Sequence, residues 1–148
     1  MKTLISMLLV LALLCAGIGL AETGSEQEAE AMKLWIGETA VAVAWEDNDA
    51  VRALSAMVAE QPLTIEMSMY GGFEQVGSIG TELPRSDVQT TIRAGDIALY
   101  AGNQMVVFYG SNSWAYTRLG RVTDKTAGEM AALLSHGDVT ITVSISEE

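Results

Sequence analysis

Gly95-Asp96-Ile97-Ala98-Leu99-Tyr100-Ala101-Gly102-Asn103-Gln104-Met105-Val106-Val107-Phe108-Tyr109 contains two short apolar runs, each introduced by a turn dipeptide. Gly95-Asp96 opens the run Ile97–Tyr100, and Gly102-Asn103 opens Gln104–Tyr109. Apolar and aromatic runs bounded by Gly, Asn and Asp read as strands joined by hairpin turns. So short a connection joins antiparallel neighbours, because a parallel crossover needs a dozen or more residues.

The same pattern extends outward. Tyr116–Val122 reads as a further strand, and Val139, Ile141, Val143 and Ile145 alternate with Thr140, Thr142, Ser144 and Ser146. That period of two marks a half-buried strand. Upstream, Met32–Ile36 and Thr39–Trp45 flank the turn pair Gly37-Glu38 and form an N-terminal hairpin. Leu63, Ile65, Met67 and Met69 alternate up to Tyr70-Gly71-Gly72. Between Gly71 and Ile92 the pattern loosens, which predicts a long loop with one or two short strands, Glu74–Val76 among them.

Two segments carry a helical period instead. Asp47 offers a cap, and Ala50, Val51, Leu54, Met57 and Val58 lie on one face before Pro62 stops the helix. Thr126-Ala127-Gly128-Glu129 is a capping box, followed by Met130, Leu133 and Leu134, with Gly137 at the end. Seven or eight strands, two helices and no βαβ alternation predict a mainly β domain. The natural architecture is an antiparallel sheet closed into a barrel, with the two helices capping its ends.

The termini and the charge bound the setting. The chain has 148 residues, with 19 Asp+Glu against 8 Lys+Arg. That length is one domain, and an acidic surface repels phosphate backbones, so no nucleic-acid partner is expected. Residues 1–21 read as a signal peptide: Lys2 is the basic start, Met7–Ala16 is the apolar run, and Gly19-Leu20-Ala21 is a cleavage site. The run is too short to span a bilayer comfortably, so the mature form is expected to have no membrane span. The protein is read as exported, secreted or held in the cell envelope. Cys15 follows Leu14 where a lipoprotein box needs a small residue, so the lipid-anchor alternative ranks below an apolar Cys within the leader. Residues 22–30 hold four Glu and no large apolar side chain, and read as a disordered acidic tether. The domain itself is placed at 31–148.

The residues exclude much chemistry. One Cys and one His cannot build a Cys/His zinc site, and no metal or cofactor is expected. His136, at the end of the second helix, reads as a structural cation. Gly77-Ser78-Ile79-Gly80 lacks the spacing of a nucleophile elbow, and Gly71-Gly72, Gly77 and Gly80 read as turn glycines. What stands out is an aromatic and polar group: Phe73, Gln104, Phe108, Tyr109, Trp114 and Tyr116, with Arg118 and Arg121 beside them. Such residues line a peptide groove or fill a core, and both readings stay open here.

From Leu63 to Val143 the chain resembles the bacterial and archaeal cyclophilin-like family. The resemblance lies in Gly71-Gly72-Phe73-Glu74, Gly77-Ser78-Ile79-Gly80, Leu83-Pro84, Ala94–Tyr100, Gly102-Asn103-Gln104, Val107–Gly110, Ser113–Arg121 and Gly137-Asp138-Val139. It implies an eight-stranded closed barrel with two helices and a proline-containing ligand. True cyclophilins are peptidyl-prolyl isomerases that polarise the prolyl amide with an Arg. Gln104 resembles their pocket Gln, Val106 falls where a pocket Phe stands, and Tyr116 falls near a pocket His. Trp114 stands in for their Trp at a different spacing. The catalytic Arg has no counterpart, since no Arg lies between Arg52 and Arg85. The expectation is therefore a non-catalytic module for a peptide or small ligand, using Gln104, Phe108, Trp114, Tyr116 and Phe73 with the Gly71–Pro84 loop as a wall. A weak prolyl isomerase assisting extracytoplasmic folding is the alternative, with Arg118 as its candidate donor.

Overall fold

A computed structural model describes residues 32–145. The leader, Cys15 and the acidic tether lie outside the described residues. Eleven strands and two helices follow in order: β1 (Met32–Ile36), β2 (Thr39–Val41), β3 (Val43–Trp45), α1 (Asp49–Glu60), β4 (Leu63–Glu66), β5 (Ser68–Tyr70) and β6 (Glu74–Ser78). Then come β7 (Val88–Ile92), β8 (Asp96–Tyr100), β9 (Gln104–Phe108), β10 (Asn112–Val122), α2 (Ala127–Leu134) and β11 (Thr140–Ile145). No helix among the described residues is long and apolar enough to cross a membrane.

The expected closed eight-stranded barrel is not what forms. The strands make two antiparallel sheets: one of four, ordered β2-β1-β11-β4, and one of seven, ordered β3-β10-β8-β9-β6-β5, with β7 added on β10. Besides the two helical connections, the chain passes between them twice at single residues. Thr39–Trp45 breaks at Ala42, whose N–H is satisfied by Asp124 Oδ1 at 3.0 Å rather than by a neighbouring strand. Leu63–Tyr70 breaks at Met67, whose N–H reaches Val139 O at 2.9 Å. Bends of this kind let one extended segment serve two sheets at a corner. The side-chain alternation continues through both corners, so the sequence pattern shows one strand where the ladder has two.

The two inner faces share the main core. Leu34, Ile36, Ile65, Ile141 and Val143 from the smaller sheet meet Ile97, Leu99, Met105, Val107 and Leu119 from the larger one, all buried. α1 adds Val51, Leu54 and Val58 and lies against β11. Its cap is Asn48 rather than Asp47: the Asn48 side chain accepts from the Val51 N–H at 2.9 Å. α2 starts with the expected capping box and buries Met130 and Leu134. Its last turn is held by Gln75, which is fully buried and donates through Nε2 to Leu134 O and Gly137 O, each at 2.8 Å.

Two of the glycines behave differently. Gly71 adopts φ 65°, as a turn glycine should. Gly77 is not a turn residue but sits inside β6, under the β4–β5 corner. A Cβ there would lie 2.5 Å from Glu66 O and 2.7 Å from Met67 Sδ, so only glycine lets the sheet corner close over β6.

The larger sheet is apolar on both faces. Met105 and Val107 point into the main core, while Val106 and Phe108 alternate to the other side. There they join Ile92, Ala98 and Tyr116 in a second, smaller cluster, with Phe73 and Val76 packed against it. A sheet with one solvated face would show polar residues at these positions. The second cluster is the floor on which the candidate site is built.

Candidate functional site

β10 positions much of the site because it is longer than its neighbours. Its second half, Thr117–Arg121, pairs with β8, and its first half, Asn112–Tyr116, pairs with β7. The first half therefore reaches beyond β8 and carries Trp114 and Tyr116 over the outer cluster. Opposite, the β5–β6 turn at Tyr70-Gly71-Gly72-Phe73 brings in Tyr70 and Phe73. Between them lies a cleft of about 790 Å³.

The cleft is lined by Tyr70, Gly71, Phe73, Glu74 and Val76 from one side. Tyr100, Gln104, Asn112, Trp114 and Tyr116 complete it. Three of the chain's four tyrosines are thus on its walls. Tyr70 and Phe73 meet edge-on at 6.3 Å, and Tyr100 and Tyr116 meet at 6.2 Å. Trp114 is 55% exposed and Tyr70 is 64% exposed, so both rings present apolar surface to solvent beside the cleft.

The sequence-selected residues divide three ways. Phe73, Gln104, Trp114 and Tyr116 are brought together at the cleft. Phe108 is not at its surface: it is fully buried beneath, edge-on to Tyr116 at 5.4 Å, and supports the ring rather than meeting a ligand. Arg118 is elsewhere: it shares the parity of Trp114 and Tyr116 along β10, yet it lies in a separate hollow with Arg93, Arg121 and Asp96, drawn there by the Asp96 carboxylate. There it lies 3.5 Å from buried Asp96 and donates to Thr90 Oγ1 and Thr91 O. Arg121 closes on the same carboxylate at 2.6 Å.

The expected loop wall is also shorter than Gly71–Pro84. Only Gly71–Val76 contributes, because the chain beyond β6 is tied down against the β8–β9 turn. The Ile79 N–H donates to Asn103 O at 2.9 Å and the Leu83 N–H to Gly102 O at 2.8 Å, and both side chains enter the main core.

Glu74 is the residue the sequence reading passed over. It is 7% exposed, lines the cleft, and its Oε2 has no hydrogen-bond partner among the described residues. Burial pushes its carboxyl up to about 7. Beside it, burial also raises the Tyr116 phenol, with the Glu74 charge adding to the rise. The Tyr116 oxygen accepts a hydrogen bond from Asn112 Nδ2 at 2.9 Å, which orients the ring. One signal was available: alternation in β6 puts Glu74 on the face of Val76, opposite Gln75 and Gly77. Among the described residues, no Lys, Arg or His lines the cleft. Among the described residues, no three His, Cys, Asp or Glu side chains gather in a way that would hold a metal.

Comparison with known proteins fits this architecture. The model of the cyclophilin-like family matches residues 34–146. The chain belongs to the cyclophilin-like family. A hypothetical protein of Archaeoglobus fulgidus, whose structure was determined in solution, is similar to this cyclophilin-like chain in fold, with a TM-score of 0.53 at 16% identity. The match covers 78% of this chain and 93% of that one. No curated protein matches in sequence.

Proposed function

We propose that this cyclophilin-like protein is an exported binding module that takes a peptide or small ligand in the cleft without turning it over. The observation that carries the reading is the composition of the cleft. Five aromatic side chains converge with Gln104, Asn112 and Glu74, and no cationic donor is among them. Apolar walls with a few converging polar groups are the usual make-up of a ligand site. Rotation about a prolyl amide must cross a barrier of ~18–20 kcal/mol, and aimed positive charge is the main means of lowering it. Arg118 does not supply that charge, being engaged with Asp96 in another hollow. Placement outside the cytoplasm follows from the leader read in residues 1–21.

Weak prolyl isomerisation is the second reading. It is favoured by one observation, that Gln104 of the cyclophilin-like Gly102-Asn103-Gln104 segment is on the cleft wall. The two readings separate by NMR exchange on a small panel of Xaa-Pro peptides. Binding alone shifts the resonances of Gln104 and Trp114 and leaves the cis/trans exchange rate unchanged. Accelerated exchange that disappears in Gln104→Ala would replace the binding reading with an isomerase. Absence of both shifts and acceleration would remove proline peptides as the ligand class.

A further inference from the structure

Glu74 poses a question that a general ligand cleft leaves unanswered. A buried carboxyl ordinarily has a hydrogen-bond or charge partner within the fold. Glu74 Oε2 has none. The groups around it come from every neighbouring strand: Tyr70 from β5, Gln104 and Phe108 from β9, Tyr100 from β8, and Asn112 and Tyr116 from β10. None carries a positive charge. The Asn112 amide donates to the Tyr116 oxygen rather than to Glu74.

Five of the other lining side chains are aromatic: Tyr70, Phe73, Tyr100, Trp114 and Tyr116. Aromatic faces attract a cation through their quadrupole, and they do so most strongly where water is excluded. A lone carboxyl at the base of an aromatic cleft thus lacks one chemical group, a cation too weakly hydrated to resist transfer from water. Charge over the whole chain acts in the same direction, with 19 acidic residues against 8 basic ones.

We propose that the cleft recognises an organic ammonium group, with Glu74 as its counter-charge and Trp114, Tyr70 and Tyr100 as the rings that enclose it. The inference rests on the reading of the cleft as a ligand site and names the chemistry of that ligand. It requires no covalent step. An entering ammonium would hold Glu74 in its ionised form, so binding releases a proton wherever free Glu74 is protonated. The Tyr116 phenol, raised from its ordinary value, stays protonated throughout.

The test uses the full chain with choline as probe and its uncharged dimethylbutanol isostere as control, measured by calorimetry and by NMR shifts at Trp114. At pH 8.5 choline is expected to bind at least about tenfold more tightly than the isostere. With the Glu74 carboxyl at about 7, choline affinity is expected to rise about thirtyfold from pH 5.5 to pH 8.5. Glu74→Gln is expected to remove the preference for the cation together with its pH dependence. Trp114→Ala, at an exposed position, keeps the question answerable should Glu74→Gln fold poorly, and is expected to weaken choline several-fold. Equal affinity for choline and the isostere, or unchanged choline binding in Glu74→Gln, overturns the inference. Choline failing while a neutral peptide shifts Trp114 overturns it and leaves the binding reading standing. Failure of choline, isostere and peptides alike to shift the cleft resonances overturns both.

Discussion

Replacing Glu74 by Gln tests the electrostatics of the cleft through the stability of the fold itself. The native carboxyl keeps its proton up to about pH 7, whereas the unfolded side chain loses it near its ordinary value of 4.5. Between these pH values the native state binds more protons than the unfolded state, so stability falls as pH rises. The contribution is fully present below pH 4.5 and is lost as the pH passes about 7. A rise from 4.5 to about 7 corresponds to about 3 kcal/mol in all, of which about 2.5 kcal/mol is lost between pH 5 and pH 8. Gln has nearly the same shape and no charge to bury. Urea unfolding of the two proteins from pH 5 to pH 8 isolates the effect, because every other titrating group is shared. The stability of Glu74→Gln relative to the parent should climb by about 2.5 kcal/mol across that range, a relative shift of roughly 1–2 M in the urea midpoint. Parallel pH profiles would refute the reasoning and show that the carboxyl ionises in place with water or a partner beside it.

Other substitutions probe how the cleft and its support are built. Phe108→Ala should destabilise by about 3–5 kcal/mol in urea unfolding, because the ring is fully buried under Tyr116, whereas Trp114→Ala should cost less than about 1 kcal/mol and show its effect in ligand titrations instead. Gly77→Ala should cost about 2–3 kcal/mol, since its methyl would meet Glu66 O and Met67 Sδ at the sheet corner; a melting temperature matching the parent would show that the corner can give way. Thr126→Ala should cost about 1 kcal/mol through loss of the capping box. Its amide-exchange signature should be faster exchange at the α2 start, including the Glu129 N–H that Thr126 Oγ1 accepts from at 3.1 Å.

Much of the local structure is legible because it depends on neighbours in the chain. The turns at Gly37-Glu38, Gly71-Gly72 and Gly102-Asn103 and the capping box of α2 appear where residue type requires them. The cap of α1 is one residue later than Asp47, because Asn48 can both accept from Val51 and donate through Nδ2 to Arg118 O at 2.8 Å, a partner distant in sequence. Part of the site is legible too. Aromatic clustering and the family resemblance single out Gln104, Trp114, Tyr116 and Phe73, and the fold brings them to one cleft. Phe108 and Arg118 were not separable from them by residue type. Phe108 shares its strand face with Gln104 but lies deeper, under Tyr116. Arg118 lies two residues beyond Tyr116 in β10, but it is claimed by Asp96 before it can face the cleft.

The amino-acid sequence alone determined the mainly β composition, the places where strands turn, the two helices and the family, because each rests on short-range periodicity or on an ordered set of local motifs. Only the tertiary structure decided that the strands divide into two sheets, since corners at Ala42 and Met67 leave the alternation of side chains untouched while redirecting the backbone hydrogen bonds. It alone also decided the chemistry of the cleft. A glutamate in a sequence is a charged, solvated group by default, and Glu74 becomes a buried and unpartnered carboxyl because strands distant in sequence, carrying Gln104, Phe108, Asn112 and Tyr116, close around it.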